Sequence, residues 1–235
     1  MKCSIIITAG GVGKRIGGDL PKQFLLLAGE PILFHTIRCF YVFDSAAQII
    51  VSLPEDWLSY WQDLCRQYRF EVAHEVVAGG KERFHSVQNA LQLASGDLIA
   101  VHDGVRPFPS LQTSQKCFEI AETQGSAVPV VELKESLREL TGNSSIALVR
   151  SRYRLVQTPQ VFRSKIIRKA YAREYHDSIA DDASLVEASG VDIWLVQGND
   201  ENMKITTPTD LILAEAILKS CQLLRPEDGM WNRLA

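Results

Sequence analysis

Apolar positions along this chain follow two alternating rhythms. Short runs rich in Val, Ile and Leu at 4–8, 48–53, 71–77, 97–102, 127–131 and 192–197 have the length and composition of strands. Between them, apolar residues recur three or four apart, which predicts helices over 32–43, 55–68, 82–93, 111–124, 164–174, 181–188 and 208–218. Pro31 suits the first turn of one helix and Thr207 the N-cap of the last. Trp57, Leu58, Trp61, Leu64 and Cys65 share one helical face, so the tryptophans read as core residues, not as a base-stacking platform. This βαβ alternation predicts an α/β fold: a Rossmann-like, mostly parallel sheet with helices on both faces.

One stretch breaks the rhythm. Residues 136–156 (SLRELTGNSSIALVRSRYRLV) alternate in short runs around a polar turn and predict an inserted β-hairpin arm. Such a hairpin has little core of its own, so either another subunit covers it or it is a flap. The expected organisation is a single domain over 1–235 with this arm at about 136–156. No role is assigned to the tail at 225–235.

Composition narrows the class. With 46% hydrophobic and 23% charged residues in 235, the chain has the balance of a soluble globular protein. A net charge of −3 gives no general attraction to nucleic acid or anionic membrane, so any cationic ligand site is local. The five cysteines are odd in number and widely spaced, without a C-x-x-C pair, which argues against a disulfide framework or a zinc site. No signal sequence precedes the first strand, and no apolar run approaches the roughly 18 residues of a membrane span. These features together lead us to expect a reducing cytoplasm.

Chemistry concentrates where the first strand ends. Residues 8–24 (TAGGVGKRIGGDLPKQF) hold five glycines and the cations Lys14, Arg15 and Lys22. Glycines let the backbone approach a ligand, and exposed N–H groups with cationic side chains attract anionic oxygens. At the end of a parallel strand, this pattern points to a phosphorylated ligand. It is not a P-loop, because Gly13-Lys14 is followed by Arg15 where a Ser or Thr hydroxyl should ligate magnesium. Nor is it a dinucleotide fingerprint, because Gly17 falls one residue too late after Gly11-Val12-Gly13.

Four further clusters lie at predicted strand ends or on the arm. Residues 78–86 (AGGKERFHS) form a second Gly turn, where Ser86 can hydrogen-bond a base edge, although a plain helix-capping turn has the same composition. In residues 101–108 (VHDGVRPF), Asp103 suits either a magnesium ion or ribose hydroxyl, or simply a turn. Arg150, Arg152 and Arg154 alternate before Gln157-Thr158-Pro159-Gln160, an arrangement expected to put three guanidiniums on one strand face. Lys204 stands alone between a strand and the last helix.

The loop Ala9-Gly10-Gly11-Val12-Gly13-Lys14-Arg15 with Pro21-Lys22-Gln23 resembles that of sugar-phosphate nucleotidyltransferases. The ordered set AGGVGKR, PKQF, GGKERFHSV, HDGVRP, ESLR, TPQ, DDAS and NMKIT, over about residues 4–218, resembles the 2-C-methyl-D-erythritol 4-phosphate cytidylyltransferase family. That resemblance implies that Arg15 and Lys22 stabilise the transition state, and that Arg150, Lys204 and Ser136 contact the alcohol phosphate. It implies that Ala9, Gly10, Gly11, Gly13, Gly80, Ser86, Asp103, Arg106 and Thr158 hold CTP. It also implies Mg²⁺ or another divalent cation, with Asp103 as the metal ligand, and a homodimer joined through the arm. Three positions depart from the family pattern: Lys81 replaces a frequent Asp, Ser136 a usual Thr, and Gly10 a common Ala. The A-G-G form also occurs in ribitol 5-phosphate cytidylyltransferases, which leaves that substrate as an alternative. A non-catalytic nucleotide sensor is the reading from another class, although two separate phosphate clamps exceed what a sensor needs.

Overall fold

The computed structural model describes residues 1–11 and 20–223. The chain opens with β1 (Cys3–Thr8), a single 3-10 turn at Lys22–Phe24, and a tiny hairpin of β2 (Leu26–Leu27) and β3 (Glu30–Pro31). Then come α1 (Ile32–Phe43), β4 (Gln48–Leu53), α2 (Leu58–Gln67) and β5 (Glu75–Ala78). The middle of the chain forms α3 (Arg83–Leu93), β6 (Leu98–Asp103), α4 (Leu111–Gln124) and β7 (Ser126–Glu132). Next are the arm hairpin β8 (Arg138–Thr141) and β9 (Ser144–Ala147), then β10 (Arg154–Val156) and β11 (Gln160–Arg163). Finally come α5 (Ser164–Tyr171), α6 (Asp182–Glu187), β12 (Leu195–Gln197) and α7 (Pro208–Leu223).

Among the described residues, eight strands share one sheet in the order β10-β7-β11-β6-β1-β4-β5, with β12 alongside β7. β5, β4, β1 and β6 run parallel, and β11 enters antiparallel between β6 and β7. Because side chains alternate across a strand, β1 feeds both faces. Ile5 and Ile7 pack with Phe34 and Phe40 of α1, Trp61 of α2 and Phe118 of α4. Ile6 packs on the other face with Phe84 and Val87 of α3, Ile167 of α5 and Leu185 of α6. Strands buried on both sides need continuous apolar runs, which is what the sequence supplies. A third cluster, including Leu27, Val105, Ile205 and Ala214, fastens α7 beside the end of β6.

The structure bears out the α/β class and the arm hairpin, and trims several edges. Residues 71–74 do not pair as strand, because the His74 ring donates from Nδ1 to the Val72 carbonyl (2.7 Å) and accepts from Trp61 Nε1 (3.0 Å). Residues 192–194 are held by the Ser126 side chain, which donates to the Asp192 carbonyl (2.7 Å), and only Leu195–Gln197 joins the ladder. The expected single strand face carrying Arg150, Arg152 and Arg154 is not formed. Arg150–Arg152 is a 3-10 turn closed by the Tyr153 N–H on the Arg150 carbonyl (3.0 Å), and β10 begins only at Arg154.

Candidate active site

Strand order decides where a ligand can enter. From β1 the chain steps to β4 and β5 on one side, then returns to place β6 on the other, so a crevice opens beyond the carboxyl ends of β1 and β6. Thr8 and Asp103, the last residues of those strands, stand in register. The Gly104 N–H donates to the Thr8 carbonyl (2.9 Å), and a Cβ on Gly104 would lie 3.0 Å from that of Ala9. Glycine therefore lets the two strand ends close on each other. A cavity of about 300 Å³ lies there, reached by Gly10, Gly11, Lys22, Gly80, Asp103 and Lys204 among others.

Local packing delivers each wall. Gln23 is buried and donates Nε2 to the Ala9 carbonyl (2.6 Å), while Phe24 packs on Trp57, Tyr60 and Trp61 with ring centroids 5.3–6.1 Å apart. Lys22, one residue earlier, is thereby held at the cavity. Across from it, the Ser86 hydroxyl accepts the Gly80 N–H (3.1 Å) and donates to the Glu82 carbonyl (3.2 Å), which closes the turn before α3. Its first task is thus to shape the turn. Gly80 is required there as well, because a Cβ would fall 2.3 Å from that of His85.

Asp103 is the electrostatic centre. Its Oδ2 receives Arg106 Nε (3.1 Å) and Lys204 Nζ (3.0 Å), and its Oδ1 faces Arg83 Nε at 3.6 Å. Burial opposes ionisation, but Arg83, Lys204 and Arg106 overrule it and hold the carboxyl well below the usual carboxylate range. Arg106 also donates Nη1 to the Asn202 carbonyl (2.8 Å), which ties the segment carrying Lys204 to the end of β6. Thr158 does not reach the cavity. Its hydroxyl accepts the Asp103 N–H (3.1 Å) and donates to His102 Nδ1 (3.0 Å), bracing the strand end from behind.

Ala9, Gly10, Gly11, Lys22, Gly80, Ser86, Asp103 and Lys204 therefore converge on one cleft, with Arg106 beside it. Gly13 and Arg15 lie outside the described residues. Arg150 and Ser136 are exposed on the arm and do not line the cleft of their own chain; Arg150 donates to the Lys134 carbonyl. Sequence reasoning missed Arg83, which bonds Asp182 through Nη1 (3.0 Å) and Nη2 (2.6 Å). No local signal marked it, because Asp182 lies 99 residues further along the chain. As for a metal, no group of three or more His, Cys, Asp or Glu gathers among the described residues. Asp103 is a hard oxygen donor at the cleft, and its two oxygens already face Arg83, Arg106 and Lys204.

An anion in this cleft meets a glycine turn, Lys22 and Lys204 at once; among the described residues no cysteine or histidine lines it, and the hydroxyl of Ser86 is committed to the Gly80 N–H and the Glu82 carbonyl. The fold and site together define a nucleotidyltransferase of the α/β class. The 2-C-methyl-D-erythritol 4-phosphate cytidylyltransferase family profile matches residues 3–220, and the chain belongs to that family. It is 49% identical over 219 residues to the enzyme of that name from Phocaeicola vulgatus, covering 93% of this chain and 100% of the relative. It is 50% identical over 217 residues to the one from Porphyromonas gingivalis, covering 92% and 97%. The crystal structure of the Thermus thermophilus enzyme superposes with a TM-score of 0.77 at 34% identity, covering 93% of this chain and all of that one. These matches favour the methylerythritol family over the ribitol alternative.

Proposed function

We propose that this chain transfers the cytidylyl group of CTP to 2-C-methyl-D-erythritol 4-phosphate, giving 4-diphosphocytidyl-2-C-methyl-D-erythritol and pyrophosphate. The observation that carries this reading is the match over nearly the full length of two relatives so named, at about half identity. A phosphate oxygen of the alcohol attacks the α-phosphorus of CTP, the α–β bridging bond breaks, and pyrophosphate leaves with the electron pair. The attacking phosphate monoester has a second pKa of about 6, so it is already anionic near neutrality and needs no general base. The difficulty is bringing two anions together, and catalysis amounts to positioning with charge stabilisation. In this reading Lys22 and Arg15 act on the α-phosphate and the leaving group, while Lys204 takes the attacking phosphate. Gly10, Gly11 and the Gly80 turn bring backbone to the nucleotide. Asp103 would hold Mg²⁺ together with phosphate oxygens, and the ion would supply further charge neutralisation.

The arm fits a second copy of the chain. Leu140 is 82% exposed, and Ile146 and Val149 are exposed as well, on a hairpin without a core. In a homodimer the arm would carry Arg150 and Ser136 to the partner's cleft. The deciding assay is pyrophosphate release from CTP and Mg²⁺ with methylerythritol phosphate or ribitol 5-phosphate. Release with the first alone is expected. Preference for ribitol phosphate, or no release with either, would overturn the assignment.

A further inference from the structure

A second row of charges runs into Asp103 along one wall of the cleft, which Arg83 lines. Asp182, the first residue of α6, has no exposed surface. Its Oδ1 accepts from Arg83 Nη1 (3.0 Å) and from the Tyr171 hydroxyl, and its Oδ2 accepts from Arg83 Nη2 (2.6 Å). Arg83 Nε then lies 3.6 Å from Asp103 Oδ1, and the other oxygen of Asp103 holds Lys204 and Arg106. The start of α6 is strapped in place. Asp181 and Ser184 form a reciprocal cap, while Gln160 of β11 donates to Asp181 Oδ2 (2.8 Å) and accepts the Ala183 N–H (2.8 Å).

The row Tyr171–Asp182–Arg83–Asp103–Lys204 is continuous and, after the phenol, alternates in charge. Neither Tyr171 nor Asp182 lines the cleft. The two-pronged grip on Arg83 matters because a guanidinium offers a rigid fork of donors that suits any nearby carboxylate. Released from Asp182, that fork would turn on Asp103 and compete with Lys204 and Arg106 for its oxygens. An arginine left there without Asp182 would also be a poorly compensated charge, which favours the rearrangement.

We infer that Asp182, backed by Tyr171, is a positioning residue for the transfer reaction: by fixing Arg83 it keeps Asp103 aimed at Lys204. This inference rests on the functional reading above. A residue that only stabilises α6 would act the same whether or not Lys204 is present, so a double-mutant cycle separates the roles. Pyrophosphate release is followed with enzyme in excess, so that slow variants remain readable. Asp182→Asn is expected to lower kcat/KM for the alcohol phosphate about 30-fold in the parent but less than about 3-fold in a Lys204→Ala background. Equal losses in both backgrounds overturn the inference. If Asp182→Asn does not fold, Tyr171→Phe carries the same cycle, with about a 5-fold loss expected in the parent and none beside Lys204→Ala. An inactive parent overturns the functional reading and this inference with it, whereas an active parent with additive losses overturns the inference alone.

Discussion

His102 commits both ring nitrogens to neighbours: Nε2 donates to the Arg106 carbonyl (2.9 Å), and Nδ1 accepts the Thr158 hydroxyl (3.0 Å). A proton added at Nδ1 would face a hydroxyl that already accepts the Asp103 N–H. Burial pushes the imidazole down to about 4, from an ordinary value near 6.5. Above pH 6.5 the ring is neutral in both folded and unfolded chains and stability is independent of it. As pH falls from there toward 4, only the unfolded chain takes up the proton, so stability is lost. Between pH 7 and pH 5 the loss from His102 is on the order of 2 kcal/mol. His35 and His74, also pushed down chiefly by burial, act in the same direction. Urea midpoints measured across this range should fall with pH, and a flat profile would contradict a buried neutral His102. At this scale Lys22 and Asp103 were legible as charged residues at a glycine turn and a strand end, whereas Lys204 took its role only from the family resemblance. Arg83 was not, because its partner Asp182 lies far along the chain and only the fold brings them together.

Among the elements, α7 is fixed most plainly by its own sequence. Thr207 Oγ1 accepts the Asp210 N–H (3.2 Å), and Asp210 Oδ2 in turn accepts the N–H groups of Thr206 and Thr207 (2.8 Å each). Burial alone would raise the Asp210 carboxyl, but these bonds from Thr206 and Thr207 prevail and hold it below its usual range. Asp210→Ala should therefore cost about 1 kcal/mol of stability, read as a lower urea midpoint at pH 7. An unchanged midpoint would mean that α7 is held by the Ala214 and Leu218 packing alone. Thr207 was readable as a cap because capping is local. β10 and β11 were not readable as separate strands, since each is three or four residues long and owes its existence to β6 and β7. The arginine alternation misled for the same reason: a period of two means a strand only where a neighbour supplies the ladder.

For the whole molecule, the separation of Lys22 from Arg150 is the testable feature. Lys22 lines the cleft, whereas Arg150 stands exposed on the arm. Lys22→Ala should lower kcat roughly 100- to 1,000-fold, the scale of losing one charge-stabilising group in a transition state. Arg150→Ala should instead weaken use of the alcohol phosphate and leave CTP binding largely intact. If a two-fold dimer exchanges arms, refolding the two variants together gives mixed dimers that each contain one intact site. Equal mixing should then restore about a quarter of parent activity. No recovery would mean that Arg150 serves its own chain or none.

The register that sets Thr8 beside Asp103, with Lys204 bonded to that aspartate, has a consequence for the order in which the protein is made. The glycine turn follows β1 and is made well before Lys204, which emerges just ahead of α7. Until that segment is made, a nascent chain has its glycine turns and Asp103 but nothing to neutralise Asp103 from the Lys204 side. The charge balance at the end of β6 is therefore completed only once the segment ahead of α7 has been made.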